Sequence, residues 1–345
     1  MHQGSAAGDA PEETGGTVQA EAPASLAGIQ RELLGAHFLL LARVLRRSAR
    51  VDYAGFEPHN LMERRLVLTL FRIEEGRVSE LAGTLGNDVA QVSRALGSLR
   101  AAELVRREKQ RDPYVLTPAG ARLGALLDTV ALRREEELGR GFHPQEMFEL
   151  AGLLSNLLTR ATAVLAEEIA HAREGDLGDE RPDPTNSVAA VPEIHSRLQS
   201  AILNLAMIIA RSATLSFKRL AGLSQYEWRL LANAASRPGT SFMELVAMVD
   251  SDKAQVSRAL DAMVSSGLLD RSGGRGRQTV RFTLTAEGER LHAIMGADAR
   301  RRNGVILEDL KPDQRRRLQA YVERLITNGA AMADRVSEQG RVTSD

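Results

Sequence analysis

Seven consecutive residues, Ala-Gln-Val-Ser-Arg-Ala-Leu, occupy positions 90–96 and recur unchanged at 254–260. An identical stretch repeated at an offset of 164 (254 minus 90) constrains the fold first, because whatever surrounds one copy should surround the other. Further matches bear on how far the duplication extends. Glu80-Leu81 returns as Glu244-Leu245 at the same offset, and Gly55 pairs with Gly222 at an offset of 167. Beyond a basic segment, Leu116-Thr117, Gly120, Leu123 and Pro144 return as Leu284-Thr285, Gly288, Leu291 and Pro312, all at an offset of 168. The duplicated unit is therefore a whole domain, with about four extra residues in one segment of the second copy.

A length of 345 residues accommodates two such domains. Aromatic residues make up only 4% of the chain, so its cores must be built from Leu, Val, Ile and Ala, which favours helices over sheets. The net charge is zero, so any anion-binding surface must arise locally. Only Lys109, Lys218, Lys253 and Lys311 among the 45 basic residues are lysines, a bias that a GC-rich coding sequence explains as well as a need for forked donors does. With no cysteine, disulfides, thiolate catalysis and cysteine–zinc sites are excluded. No basic-then-apolar leader opens the chain and no apolar run approaches a membrane span, so a cytoplasmic protein without membrane contact is expected.

Residues 1–24 are poor in apolar groups and read as a disordered tail. Leu26, Ile29, Leu33, Leu34, Leu40, Leu41, Val44 and Leu45 then recur at helical spacing, and a second helix follows the break at Gly55–His59. Val78, Leu81 and Leu85 mark a short helix that ends at Gly86, and Asn87 is expected to cap the next one. In that helix Val92, Ala95, Leu96 and Leu99 form one buried stripe. Two short helices around a glycine turn make a helix-turn-helix. The segment Arg106–Pro113 reads as the basic tip of a hairpin returning through Tyr114–Leu116, and Thr117 caps a long helix with Pro118 at its first position. His143-Pro144 opens another helix. The series restarts after a polar stretch, which sets the expected boundaries at 25–172 for the first domain, 173–191 for a linker, 192–336 for the second domain and 337–345 for a tail.

With the apolar stripe buried, the first repeated helix presents Gln91, Arg94 and Ser98, with Ser93 beside them, and the second presents Gln255 and Arg258 with Ser257. A helix fits the DNA major groove, where Gln pairs two-pronged with adenine, Arg pairs with guanine and Ser holds a phosphate. On a lone helix the bland reading, a solvated polar face, would be preferred. The identical repeat and the adjacent basic hairpins reverse that preference. In the second hairpin Arg271, Arg275, Arg277 and Arg281 surround a glycine-rich tip, and in the first Arg107, Lys109 and Arg111 occupy a shorter one. Six of the histidines (His37, His59, His143, His171, His195 and His292) do not cluster at metal-ligand spacing, and no phosphate loop or nucleophile elbow is present. Glu135, Glu136 and Glu137 read as a solvated acidic face. No enzyme, cofactor or metal site is expected.

The Val-Ser-Arg-Ala-Leu core, the following Leu-Val-Arg-Arg or Leu-Leu-Asp-Arg, and the Leu-Thr-x-x-Gly after each hairpin resemble the MarR family of bacterial transcriptional regulators. The order of elements is similar too, and the likeness covers about residues 25–171 and 192–335. It implies a mainly α fold with small β-wings, two tandem winged helix-turn-helix domains, and long helices of the kind that pair family members as dimers. One chain would then be a pseudo-dimer that binds double-stranded DNA, acting as a repressor on an imperfect palindrome in the bacterial nucleoid, while a homodimer of such chains stays open. A flexible linker of 19 residues reaches roughly 24 Å on average and about 60 Å at most, comparable with half-sites ~34 Å apart. The resemblance also implies a small aromatic or carboxylate effector near the first two helices and the helix after the wing, with Arg43, Tyr53 and His59 as candidates in the first copy and Arg211, Tyr226 and Trp228 in the second. A tandem winged-helix scaffold for protein partners in a chromosome-associated complex is the alternative.

Overall fold

The computed structural model describes residue 26 and residues 28–56, 58–174, 197–249, 251–273 and 279–342; at Val51, 173–174 and 335–342 it describes the backbone alone. The expected N-terminal tail, most of the expected linker, His195, Arg275 and Arg277 lie outside the described residues.

The fold is mainly helical with two small β-wings. The first half comprises α1 (Leu34–Asp52), α2 (Leu61–Ile73), β1 (Glu75–Gly76), α3 (Val78–Leu85), α4 (Val89–Ala101), β2 (Val105–Arg106), β3 (Tyr114–Leu116), α5 (Pro118–Leu138) and α6 (Pro144–Glu174). The second half repeats this order as α7 (Leu198–Ala221), α8 (Gln225–Ser236), β4 (Thr240–Ser241), α9 (Phe242–Val249), α10 (Lys253–Ser265), β5 (Leu269–Ser272), β6 (Arg281–Leu284), α11 (Ala286–Ile306) and α12 (Pro312–Val342). Helix α6 runs through Glu174 and α12 through Val342, so residues 173–174 and 337–342 are helical where a linker and a tail were expected.

Local signals explain the helix starts. Asn60 and Ser224 open α2 and α8 with reciprocal capping boxes to Glu63 and Glu227, each satisfying backbone N–H groups that a helix start leaves open. Ser48 Oγ donates to Leu45 O and Ser212 Oγ to Ile209 O. Both matches fall in the register of the repeated heptapeptide, so α1 and α2 correspond to α7 and α8 without insertion or deletion. The match of Gly55 to Gly222 is corrected by this register: Gly222 is the left-handed cap of α7 (φ 65°), whereas Gly55 lies inside the short 3-10 helix Ala54–Phe56. The expected cap of α4 is also corrected. Asp88, not Asn87, accepts from Gln91 N (2.8 Å), and Asp252 does the same for Gln255 N (2.8 Å). Asn87 stands one residue too early and is buried.

The Leu-Thr-x-x-Gly motif has a steric origin. Thr117 Oγ1 accepts from Gly120 N (3.1 Å) and donates to Glu103 O (2.6 Å), and Thr285 does the same with Gly288 N (3.0 Å) and Gly267 O (2.6 Å). A Cβ at Gly120 would stand 2.0 Å from Leu104 O, and one at Gly288 would stand 2.1 Å from Leu268 O. Each wing is a three-stranded antiparallel sheet, ordered β1-β3-β2 and β4-β6-β5. The outer hairpin pairs Val105–Arg106 with Val115–Leu116 in the first half, and Leu269–Ser272 with Arg281–Leu284 in the second, where the extra residues lengthen it.

The halves interlock. Helix α1 packs along α12, α6 packs along α7, and α1 also touches α7. Phe38, Leu41 and Leu45 of α1, Leu150 and Leu157 of α6, Ile202 and Leu205 of α7, and Leu318, Val322 and Leu325 of α12 share one core. Each fully buried Leu or Ile contributes roughly 1.5–3 kcal/mol relative to exposure, so pulling the halves apart would open the largest buried apolar cluster among the described residues. Separate cores lie beneath each wing. Taken alone, α7 is long and apolar enough to cross a membrane, contrary to the expectation that no apolar run approaches that length, but 61% of its most apolar window is buried in the protein.

Candidate nucleic-acid interface

Helices α4 and α10 bury matching stripes, Val92, Leu96 and Leu99 in one and Val256, Leu260 and Met263 in the other. The opposite faces expose Gln91, Ser93, Arg94 and Ser98 in α4, and Gln255 and Arg258 in α10, while Ser257 is half-buried. Neither Arg94 nor Arg258 makes an ion pair among the described residues, so each guanidinium keeps its forked donors for an external acceptor.

The two Gln side chains are held in place rather than loose. Asn87 Nδ2 donates to Gln91 Oε1 (3.2 Å), and Ser251 Oγ donates to Gln255 Oε1 (2.9 Å). Asn87 and Ser251 occupy matching positions in the two turns, each three residues ahead of its copy of the heptapeptide.

The wings differ more than the helices. In the first, Arg107 folds back on its own loop, with Nη1 donating to Gln110 O (2.7 Å) and the guanidinium 4.8 Å from the Tyr114 ring centroid, while Lys109 and Arg111 stay exposed. In the second, Arg271 pairs with Asp261 of α10 (3.0 Å), and Ser257 Oγ donates to the same carboxylate (3.4 Å). Sequence reasoning overlooked Asp261, an exposed acid where α4 has Gly97; the signal was visible in the register of the repeat. Ser257 and Arg271 therefore contact an acid on their own surface, whereas their matches in the first half, Ser93 and Arg107, pair with no acid among the described residues. Arg281 donates to Gly239 O (2.9 Å) and so helps hold β4 against β6.

Two clefts lie between the shared core and the helix-turn-helix units. The first encloses about 880 Å³ of atom-free space, open to solvent, with Tyr53, Leu61, Leu68 and Leu203 in its walls. Six arginines also line it: Arg46, Arg64, Arg65, Arg72, Arg134 and Arg197. Arg72 and Arg197 share Asp128 (3.1 Å each), and Arg134, fully buried, pairs with Asp52 and bonds Ser48 Oγ (2.9 Å). Arg46, Arg64 and Arg65 have no carboxylate partner among the described residues. Arg65 instead donates to Leu85 O (3.2 Å) and to Asn204 Oδ1 of the other half (2.9 Å), and burial, aided by the charge of Arg46, pushes its pKa down to about 10. Glu135, expected as part of a solvated face, is a correction. Its carboxylate accepts from Leu198 N and Gln199 N at the start of α7, where open N–H groups favour an anion, and burial raises its pKa.

The second cleft, about 690 Å³, lies among α1, α7, α8 and α11. Trp228 lines it and stacks on His292 (5.3 Å between centroids). Burial and the charge of Arg300 lower the His292 pKa, favouring the neutral ring. Of the expected effector residues, Tyr53 lines the first cleft and Trp228 the second. Arg43 belongs to α1 of the first half but lines the second cleft, because α1 crosses to the other half. His59, Arg211 and Tyr226 line neither, and His59 Nδ1 lies 3.7 Å from Glu63.

No protein-family model and no curated protein matches the chain. Among solved structures, it is similar to a MarR/EmrR family transcriptional regulator from Acinetobacter sp. ADP1, at 21% identity and a TM-score of 0.32, over 35% of this chain and 86% of that one. A protein of unknown function from Listeria innocua Clip11262 matches at 15% identity and a TM-score of 0.28, over 33% of this chain and 79% of that one.

Proposed function

We propose that the chain is a DNA-binding transcriptional regulator, a cytoplasmic repressor whose two winged helix-turn-helix units pair within one chain and read the halves of an imperfect palindrome through α4 and α10. The observation that carries this reading is the duplicated exposed Gln/Arg face, Gln91 with Arg94 and Gln255 with Arg258, each on a capped helix beside a β-wing. Arg donates two-pronged to guanine in the major groove, and a bidentate contact of that kind discriminates by about 1–3 kcal/mol. The interlocking of α1 with α12 and of α6 with α7 favours pairing within one chain.

The same reading includes a small effector with a carboxylate and an apolar or aromatic body, bound in the first cleft. Arg46, Arg64 and Arg65 would meet the charge, while Tyr53, Leu61 and Leu203 would cover the body. The test of the DNA reading is a gel-shift titration at several salt concentrations on a fragment selected from a random pool. Arg94→Ala combined with Arg258→Ala should abolish selective binding and leave weak, salt-sensitive binding. Unchanged affinity for the selected fragment would overturn it.

A further inference from the structure

Side-chain amides are asymmetric, with one end that accepts and one that donates, so the partner at one end decides what the other end offers. Asn87 sits buried in the turn between α3 and α4. Arg65 Nη1 donates to Asn87 Oδ1 (3.4 Å), and a guanidinium only donates, so the oxygen of Asn87 is fixed toward Arg65. Its Nδ2 therefore faces Gln91 and donates to Gln91 Oε1 (3.2 Å). This engages the acceptor end of Gln91 and turns the Nε2 donors toward the exposed face. In the second half the Ser251 hydroxyl donates to Gln255 Oε1 (2.9 Å), but a hydroxyl accepts as readily as it donates, so this contact leaves the Gln255 amide able to turn either way.

We infer that Asn87 is a positioning residue that sets base preference by presenting Gln91 as an amide donor. This rests on the DNA-reading role of α4 and α10. In the major groove guanine offers N7 and O6 as acceptors and thymine offers O4, whereas adenine offers its N6 donor beside N7 and cytosine offers its N4 donor. A Gln whose oxygen is engaged from behind favours guanine or thymine over the two-pronged adenine contact. Arg65 acts one step further back, fixing Asn87.

The informative variant is Asn87→Asp in the full chain. It is close in shape, keeps a partner for Arg65, and removes the donor that faces Gln91. The Gln91 amide then reverses and offers Oε1 outward, to adenine or cytosine. The experiment selects DNA from a random pool with the unaltered chain and with the variant, and compares enrichment position by position. The expected result is a preference for guanine or thymine at the position read by Gln91, moving toward adenine or cytosine by on the order of tenfold in the variant. The half-site read by Gln255 should be unchanged and serves as an internal control. Asn87→Ala, which frees Gln91 to turn either way, should broaden the preference at the same position. Selective binding with the same base preference in unaltered chain and both variants would overturn the inference while leaving the DNA-reading role intact. Failure of the unaltered chain to enrich any sequence would overturn both.

Discussion

In the first half the buried Arg134 is neutralised by Asp52, which ends α1. The matching Arg302 of the second half is neutralised by Asp298, one turn earlier on its own helix (2.7 Å). Ser216 takes the place of Asp52 in the repeat and donates to Asp298 (2.6 Å). The aromatic neighbour is kept as well, since Arg134 lies 5.9 Å from the Tyr53 ring and Arg302 lies 4.9 Å from that of Phe217. The cation has held its place while its acid has moved from one helix to another. A buried guanidinium needs a carboxylate and hydrogen bonds, and either helix can supply them. The consequence differs, because in the first half the charge pair ties α5 to α1, whereas in the second a neutral hydroxyl makes that link.

Removing the acid from α1 should break this comparison most visibly. Asp52→Ala strands a buried charge, and the expected loss is about 3–5 kcal/mol. Ser216→Ala leaves Asp298 with Arg302 and, because the lost hydrogen bond is to a charged carboxylate, should cost about 1.5–3 kcal/mol. Chemical denaturation measures both, and equal losses would refute the asymmetry. On DNA, Arg94→Ala and Arg258→Ala taken singly should each cost about 1–3 kcal/mol and relax selectivity in one half-site only. Quantitative binding to fragments altered in one half at a time resolves the two. A smaller effect concerns the left-handed residue before each wing, Glu103 (φ 56°) in the first half and Gly267 (φ 72°) in the second. Glu103→Gly should be neutral to stabilising by up to about 1 kcal/mol, and Gly267→Ala should destabilise by about 1 kcal/mol, both read from thermal melts.

The smallest expected effect is in acid. Burial raises the Asp298 pKa, but the Ser216 hydrogen bond and the charges of Arg302 and Arg301 outweigh it and hold the carboxyl below its ordinary 3.8. A depressed folded pKa gives stability that is present above the unfolded value and lost as the pH falls through the folded one. Glu135 has the opposite sign, since its raised pKa makes its contribution decline as the pH rises through the folded value. Asp298→Asn should therefore flatten the acid limb of a urea-midpoint profile, and Glu135→Gln should not.

The duplication, the order of elements, the Thr caps and the Gln/Arg faces were legible because they rest on short-range spacing that repeats. Gly120 and Gly288 were legible as a motif, though the steric reason, the carbonyl of Leu104 or Leu268 on the far side of the wing, was not. The clefts were hidden because their walls come from both halves. Arg43 reads as part of the first copy yet lines the second cleft, and Glu135 looks solvated until the start of α7 is brought onto it. The role of Asn87 was missed because a polar residue before a helix reads as a cap, and only Arg65, remote in sequence on α2, shows which end of its amide faces Gln91.

The central claim is that one chain carries two unequal reading heads for one DNA site. Light scattering of the complex on a selected duplex tests it most directly, with protein and DNA masses resolved separately. The account predicts one 37.5 kDa chain per duplex, with both half-sites protected in a footprint. Two chains per duplex, each protecting a single half-site, would contradict it.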